Sequence, residues 1–327
     1  MIVSKTPLRI SFFSGGSDLP SFYEKEQGAA LSITIDKFIY VCAHKTPYMD
    51  IKVMYDEVEH VAEVEQMQHA ITRETLKHFN LTKEITIASI SDILSKGSGL
   101  GSSSAFTVGL IKALTTIRNT PCSEKFLADT ACEIEMNKCC YPVGKQDQYA
   151  AAFGGLNIFE FLKNGNVDVH KCKVDKKTLN KLENNLLLVY SGVGRDANNI
   201  LQKQSKAMAQ QDKFELVRRS RNKAYSARDF LINNDVDSFG SLLHDAWMDK
   251  KSVVSDITQD YFDVVYEKAM SAGSLGGKLL GAGGGGFFIF YVPIEKREKV
   301  SKEITTDTKC KIYDFKFCNQ GSTLLLM

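Results

Sequence analysis

No charge of one sign prevails in this 327-residue chain, in which 41 lysines and arginines face 39 acids for a formal net charge of +2. That removes any bulk electrostatic case for binding nucleic acid or a membrane surface. No apolar run approaches the roughly 20 residues of a membrane-crossing helix. Lys5 and Arg9 interrupt the apolar start, so a secretory leader is not expected. The eight cysteines show no C-x-x-C spacing, and Cys139 and Cys140 are adjacent, which does not suit a normal bridge. Reduced thiols packed as small hydrophobes are expected, and hence a cytoplasmic location. Internal repeats and low-complexity segments are also missing. What is present is a globular composition, 43% hydrophobic and 24% charged, long enough for one large or two medium domains.

Two familiar nucleotide-binding signatures fail as well. A Walker A loop closes on Gly-Lys-Ser or Gly-Lys-Thr, whereas here Gly101 precedes Ser102 and the nearest lysine, Lys96, comes before the glycines. Gly281 to Gly286 satisfies G-x-G-x-x-G formally, but Phe287 to Val292 after it is aromatic and β-prone where a dinucleotide site needs a helix. A nicotinamide-dependent oxidoreductase is therefore disfavoured.

The most informative stretch is Lys96-Gly97-Ser98-Gly99-Leu100-Gly101-Ser102-Ser103-Ser104. The segment before it, Glu84 to Ile90, alternates like a strand, and Ala105 to Ile117 after it has helical apolar periodicity. Strand, glycine loop and helix in that order make a phosphate cradle. Glycine admits a close ligand, and a helix N-terminus offers free N–H groups and partial positive charge.

Strands are expected over Leu8–Phe13, residues 29–43, Ile51–Tyr55, Leu156–Phe161 and Leu186–Tyr190. A helix is expected over 65–79, and another opens at the N-cap Ser123 with Phe126, Ala131 and Ile134 on one face. From Arg195 to Ala272 the pattern is helical, with a break near Asn233-Asn234-Asp235. β-signals return at Lys278–Leu280, Phe287–Val292, Ile312–Phe317 and Ser322–Leu326, around a helix at 294–304. Strands enclosing a helical block imply an α+β chain of two lobes, divided here as 1–190 and 191–327.

Three groups of residues could carry chemistry. Glu135 and Asp147 flank the Pro142 turn, so that two carboxylates can converge on one spot. That suits a Mg²⁺ ligand and a base for phosphoryl transfer, although spacing alone favours ordinary surface acids, and it is the Gln146-Asp147-Gln148 setting beside Lys145 and a pair of glycines that points toward function. Arg9 lies in an apolar strand, either snorkelling at an edge or paired with a buried carboxylate. Asp18 follows Gly15, Gly16 and Ser17, as a turn residue or as an acceptor for sugar hydroxyls. The glycines from Gly281 to Gly286, including Gly283 and Gly284, suit a long turn or a loop pressed against a ligand.

Residues 7–19, 96–106 and 278–290 together resemble, in order, the three signature motifs of the GHMP kinases, small-molecule kinases that include galactokinase and mevalonate kinase. The combination of Pro7-Leu8-Arg9-Ile10-Ser11-Phe12, Gly15 to Tyr23 and Gly144 to Gly155 is most similar to the D-glycero-D-manno-heptose 7-phosphate kinases. The resemblance implies a two-lobed fold with an N-terminal lobe like ribosomal protein S5 and a ferredoxin-like C-terminal lobe. It implies ATP and Mg²⁺ as cofactors, with ATP held by residues 96–104. It places the catalytic aspartate at Asp147 with Arg9 beside it, and magnesium at Ser103 and Glu135. Gly15, Gly16, Ser17, Asp18, Gly283 and Gly284 fall on the sugar side. A remote substrate phosphate calls for cations, for which Lys37, Lys145 and Arg195 are candidates. The family implies transfer of the γ-phosphoryl group to the anomeric hydroxyl of a sugar phosphate. One departure is plain: galactokinases carry Gly-Glu-His where this chain has Ser14-Gly15-Gly16, so galactose contacts do not carry over. Other sugar 1-kinases and a non-catalytic nucleotide-binding regulator remain alternatives. Exposed edge strands and the aromatic-rich segment 12–23 are compatible with a homodimer.

Overall fold

The computed structural model describes residues 1–14, 16–93, 97–194 and 197–325. Gly15, Lys96 and Arg195 lie outside that set.

Two β-sheets organise the chain. The larger has nine strands among the described residues and is built on the antiparallel pair Ile2–Phe13 and Gly28–Lys45. The end of the long strand pairs with Ile85–Ser91, and its beginning with Leu156–Phe161. Ile51–Met54 runs parallel to Ile85–Ser91 and carries Val58–Val61 at the edge, while Val167–Lys171 flanks Leu156–Phe161. From Thr6 to Phe13 the first strand is buried throughout, because it is covered on both faces. The helix Ser102–Ile117 lies across it, close enough for Ser4 Oγ to donate to the Gly109 carbonyl at 2.8 Å.

The second sheet runs, among the described residues, in the order Lys311–Tyr313, Leu186–Tyr190, Phe287–Tyr291 and Gly276–Leu279. The sheets do not part at residue 190. Leu186–Tyr190 already belongs to the second, and the chain returns to the first through Phe317–Cys318 and Thr323–Leu325. Tail residue Ser322 meets Thr6 hydroxyl to hydroxyl at 2.8 Å.

The helical block comprises Ala197–Ala207, Gln211–Ile232, Val236–Val253 and Asp260–Ala272, with the expected break at 233–235. Its Phe239 packs edge-on against Phe12 and Phe13 at 5.0 and 5.4 Å, tying the block to the first strand. Each such aromatic pair contributes about 0.5–1.5 kcal/mol beyond burial. No helix among the described residues is long and apolar enough to cross a membrane.

Two local expectations need correction. The helix expected over 65–79 is confined to Ala70–His78, preceded by a short 3₁₀ turn at Val64–Gln66. Ser123 does cap its helix, accepting from the Phe126 N–H at 3.1 Å, but Phe126 is exposed. Ala131 and Ile134 are buried as expected, joined by Leu127 and Ala128 in place of Phe126.

Candidate active site

Strand Ile85–Ser91 leads through the glycine segment into the helix Ser102–Ile117, as the spacing predicts. Gly97, Gly99 and Gly101 all take positive φ. Gly101, at φ 79°, occupies the N-cap position and supplies no side chain to the first N–H groups. These donors and the positive end of the helix dipole stand open toward a cavity of about 830 Å³. The loop is fixed from beneath. Leu100 is wholly buried, its carbonyl accepts from the Arg9 N–H at 3.0 Å, and the Ser98 and Ser102 hydroxyls meet at 2.9 Å.

The third glycine region buttresses this loop. Phe287 donates its N–H to the Ser98 carbonyl at 3.0 Å. A Cβ on Gly286 would lie 2.4 Å from the Ser98 oxygen and 2.6 Å from that of Gly97. Strand Phe287–Tyr291 follows directly, so the formal dinucleotide motif has no helix behind it. Gly283 and Gly284, expected on the sugar side, pack against Ile257 and Ile200, and Gly281 and Ala282 line the cavity instead.

Glu135 and Asp147 converge, as the Pro142 turn allows. Glu135 sits in the π-helical turn Glu133–Lys138, a local widening often found at functional positions. It is fully buried, and its Oε2 accepts from Ser104 Oγ at 3.0 Å and Gln148 Nε2 at 3.1 Å. Its Oε1 has no partner among the described residues. Burial pushes this carboxyl up to about 7, over the pull of nearby hydroxyls. The structure thus brings Ser104 rather than Ser103 to Glu135, because the helix begins at Ser102 and its phase turns Ser103 outward, exposed at the cavity wall.

Asp147 opens the helix Gln146–Phe153, where a carboxylate suits the helix dipole. Arg9 grips it with Nε at 2.8 Å from Oδ1 and Nη2 at 2.6 Å from Oδ2, and Arg9 Nη1 reaches the Gly99 carbonyl at 2.7 Å. Arg9 is almost wholly buried, whereas the Asp147 side chain is 31% exposed toward the cavity. One arginine therefore links the acid to the glycine loop.

Asp18 lies in the same cavity, partly buried, with Ser14 Oγ donating to it at 3.0 Å. Burial first, and the charge of Asp147 second, raise its pKa. Gly16 also lines this wall beside Gln204. Ser17 does not: its hydroxyl is buried between the N–H and carbonyl of Ala29, where it locks the turn to the long strand. Lys145 also faces elsewhere, donating to the Gly165 carbonyl and lying over the Tyr23 ring. Lys37 pairs at 3.6 Å with Asp36, away from the cavity.

Two buried lysines that the sequence pattern does not flag take part instead. Lys278 donates to the carbonyls of Ser11 and Phe12 at 3.1 and 2.8 Å; burial, with Arg9 nearby, lowers it to about 7. Lys250 donates to the carbonyls of Leu279 and Gly281 at 3.2 and 2.5 Å. Both line the cavity. Another part of the wall carries Tyr55, His69 and Phe106, with ring centroids 4.7 and 5.2 Å apart in that order.

Residues 63–155 match the model of the GHMP kinases N-terminal domain, and residues 227–306 that of the GHMP kinases C-terminal domain. The chain belongs to the GHMP kinase superfamily. It has the two-domain mixed α/β fold of these proteins, and it is an ATP-dependent small-molecule kinase. Among GHMP kinases it is similar to the D-glycero-alpha-D-manno-heptose 7-phosphate kinase of Campylobacter jejuni, at 29% identity over 98% of this chain and 97% of that one. A crystal structure of a D-glycero-D-manno-heptose 1-phosphate kinase from Bacteroides thetaiotaomicron superposes with a TM-score of 0.80. It is 27% identical and covers 100% of this chain and 99% of the other. The bifunctional fucokinase/GDP-fucose pyrophosphorylase of Arabidopsis thaliana is 24% identical over 95% of this chain, which spans only 32% of that protein. These likenesses support a GHMP sugar kinase.

Proposed function

We propose that this kinase transfers the γ-phosphoryl group of ATP to the anomeric hydroxyl of D-glycero-D-manno-heptose 7-phosphate, giving the 1,7-bisphosphate. Such a product suits the supply of nucleotide-activated heptose for surface polysaccharide, made in the cytoplasm. The observation that carries the reading is the Arg9–Asp147 pair, held in one cavity with the glycine loop and the open helix N-terminus. The similarity to heptose-phosphate kinases supports the choice of sugar.

In this scheme main-chain N–H groups between Gly97 and Ser104 wrap the triphosphate, apart from that of Leu100, which donates to Ser98 Oγ at 3.2 Å. The aromatic wall of Tyr55, His69 and Phe106 receives the base. Asp147 accepts the proton of the sugar hydroxyl, whose oxygen forms a bond to the γ-phosphorus as the bond to the ADP oxygen breaks. Arg9 fixes the direction of Asp147.

A magnesium ion fits the residues present, since the buried Glu135 Oε1 lacks a partner among the described residues and Ser103 adds a hydroxyl at the same cavity. Glu135 and Ser103 would hold it, and Ser104 and Gln148 orient Glu135. Such an ion neutralises charge on the transferring phosphoryl group. Lys250, one of the two buried lysines at the cavity, is our candidate for the sugar's remote phosphate, with Arg195 a further candidate from sequence.

The test is ADP release against a panel of sugars and sugar phosphates. Turnover on the heptose 7-phosphate, with an acid-labile anomeric phosphate as product, is expected. Turnover on fucose or galactose alone would move the assignment to another sugar 1-kinase.

A further inference from the structure

Gln146 is unlike the other polar residues around the reacting acid. It is 3% exposed, it lines the cavity, and it immediately precedes Asp147 at the start of the helix Gln146–Phe153. Its Oε1 accepts from Ser11 Oγ at 3.1 Å. Its Nε2 has no partner among the described residues. Ser11 lies two residues beyond Arg9 on the same strand and also lines the cavity. The amide is thus tethered at one end and unsatisfied at the other.

A buried donor without an acceptor costs folding free energy, and a methionine would fill the same volume without that cost. Packing alone does not account for the residue. Gln148, two positions on, has an Oε1 with no partner among the described residues too, but it does not line the cavity, and its Nε2 is spent on Glu135.

We propose that Gln146 is a specificity-determining residue whose Nε2 donates to a sugar oxygen on a carbon flanking the reacting hydroxyl. The inference rests on the sugar-kinase reading above and deepens it. An amide N–H₂ only donates, so its target is a lone pair: a neighbouring hydroxyl or the ring ether oxygen. An anomeric carbon has both kinds of neighbour, the ring oxygen and the carbon bearing the 2-hydroxyl. With Asp147 engaged on the anomeric hydroxyl, the adjacent side chain meets one of them. Ser11 positions the amide from the strand that supplies Arg9. Gln146 reads the substrate and takes no part in proton transfer.

The experiment uses the full-length enzyme with the sugar that gives the highest turnover in the panel, and with its 2-deoxy and 5-thio (ring-sulfur) analogues. Gln146→Met should lower kcat/KM for the parent sugar about tenfold, the size of one lost hydrogen bond, with the KM for ATP unchanged. On the analogue lacking the recognised oxygen, the wild type has already lost the contact, so variant and wild type should agree within about twofold. Ser11→Ala, which untethers the amide, should lose part of the same discrimination. It carries the test if the methionine variant melts early. Equal losses on the parent and both analogues, or no loss on any, overturn the proposal. Wild-type inactivity toward every sugar refutes the sugar-kinase reading, and the proposal falls with it. The two failures are distinguished by whether the wild type turns over.

Discussion

Arg9 and Asp147, 138 residues apart in sequence, meet through two parallel hydrogen bonds of 2.8 and 2.6 Å, and the same guanidinium holds the carbonyl of Gly99. The acid and the glycine loop therefore share one rigid reference. Asp147→Asn keeps the shape and removes the proton acceptor. We expect kcat to fall on the order of 10²-fold or more while ATP binding is retained. Steady-state kinetics beside an ATP titration check this, and near-wild-type turnover would take the base out of the scheme. Arg9→Lys retains the charge but loses the planar fork, and should also lower kcat.

Glu135 carries a penalty in the metal-free protein. Burial raises it to about 7 from the usual 4.5, so between those values the folded chain holds a proton that the unfolded chain releases. The stability tied to that proton is complete below about pH 4.5 and is lost as the pH rises through about 7. Glu135→Gln removes this dependence. In magnesium-free buffer its melting temperature should exceed the wild type's at about pH 8, and the gap should close toward pH 4.5. Magnesium-dependent turnover should meanwhile collapse. An identical melting difference at both ends of that range would contradict the assignment.

Gly286 has a remote but specific duty. An added methyl would meet the carbonyl oxygens of Ser98 and Gly97 at 2.4 and 2.6 Å, at a φ of +85° that disfavours any side chain. Gly286→Ala should displace the loop and raise the KM for ATP roughly tenfold, with strain of about 1–3 kcal/mol. The sugar KM should change much less. A variant with both constants intact would show that the loop does not lean on this glycine.

The two lysines Lys145 and Lys250 part company. Lys145 faces Gly165 and Tyr23, so Lys145→Ala should leave the KM for a phosphorylated sugar unchanged and lower the melting temperature slightly. Lys250→Met should raise that KM roughly tenfold and leave the KM for an unphosphorylated sugar less affected. Measuring both variants on both sugars decides between them, and a raised KM in the Lys145 variant would restore the sequence expectation.

Much of this site is legible in the linear sequence because its parts are local. The alternating glycines, the strand before them and the periodic helix after them lie within about 35 consecutive residues, and the structure keeps that order. The convergence of Glu135 and Asp147 follows from a single turn. What stays hidden depends on rotation or on distant partners. An apolar pattern starting at Ala105 does not reveal that the helix begins at Ser102, and that phase decides whether Ser103 or Ser104 meets Glu135. The Lys145 direction is set by a loop 20 residues away. Lys278 reads as one more residue in an apolar strand, and only its bonds to Ser11 and Phe12 across the two sheets reveal its place. The strand at 323–325 lies within its expected β-signal, whereas the strand expected over Ile312–Phe317 splits into Lys311–Tyr313 and Phe317–Cys318, which join different sheets, and periodicity does not say which sheet a segment joins.

That last pairing has a consequence for biogenesis. Thr323–Leu325 lies along Val3–Lys5, and so zips the outer edge of the strand that bears Arg9. The contact spans nearly the full length of the chain, the kind of closure that forms slowly. During translation this edge stays open until residues near 325 have emerged from the ribosome. The nascent kinase thus carries an unsealed sheet margin through almost its whole synthesis, a target for chaperones and for mispairing with neighbouring nascent chains.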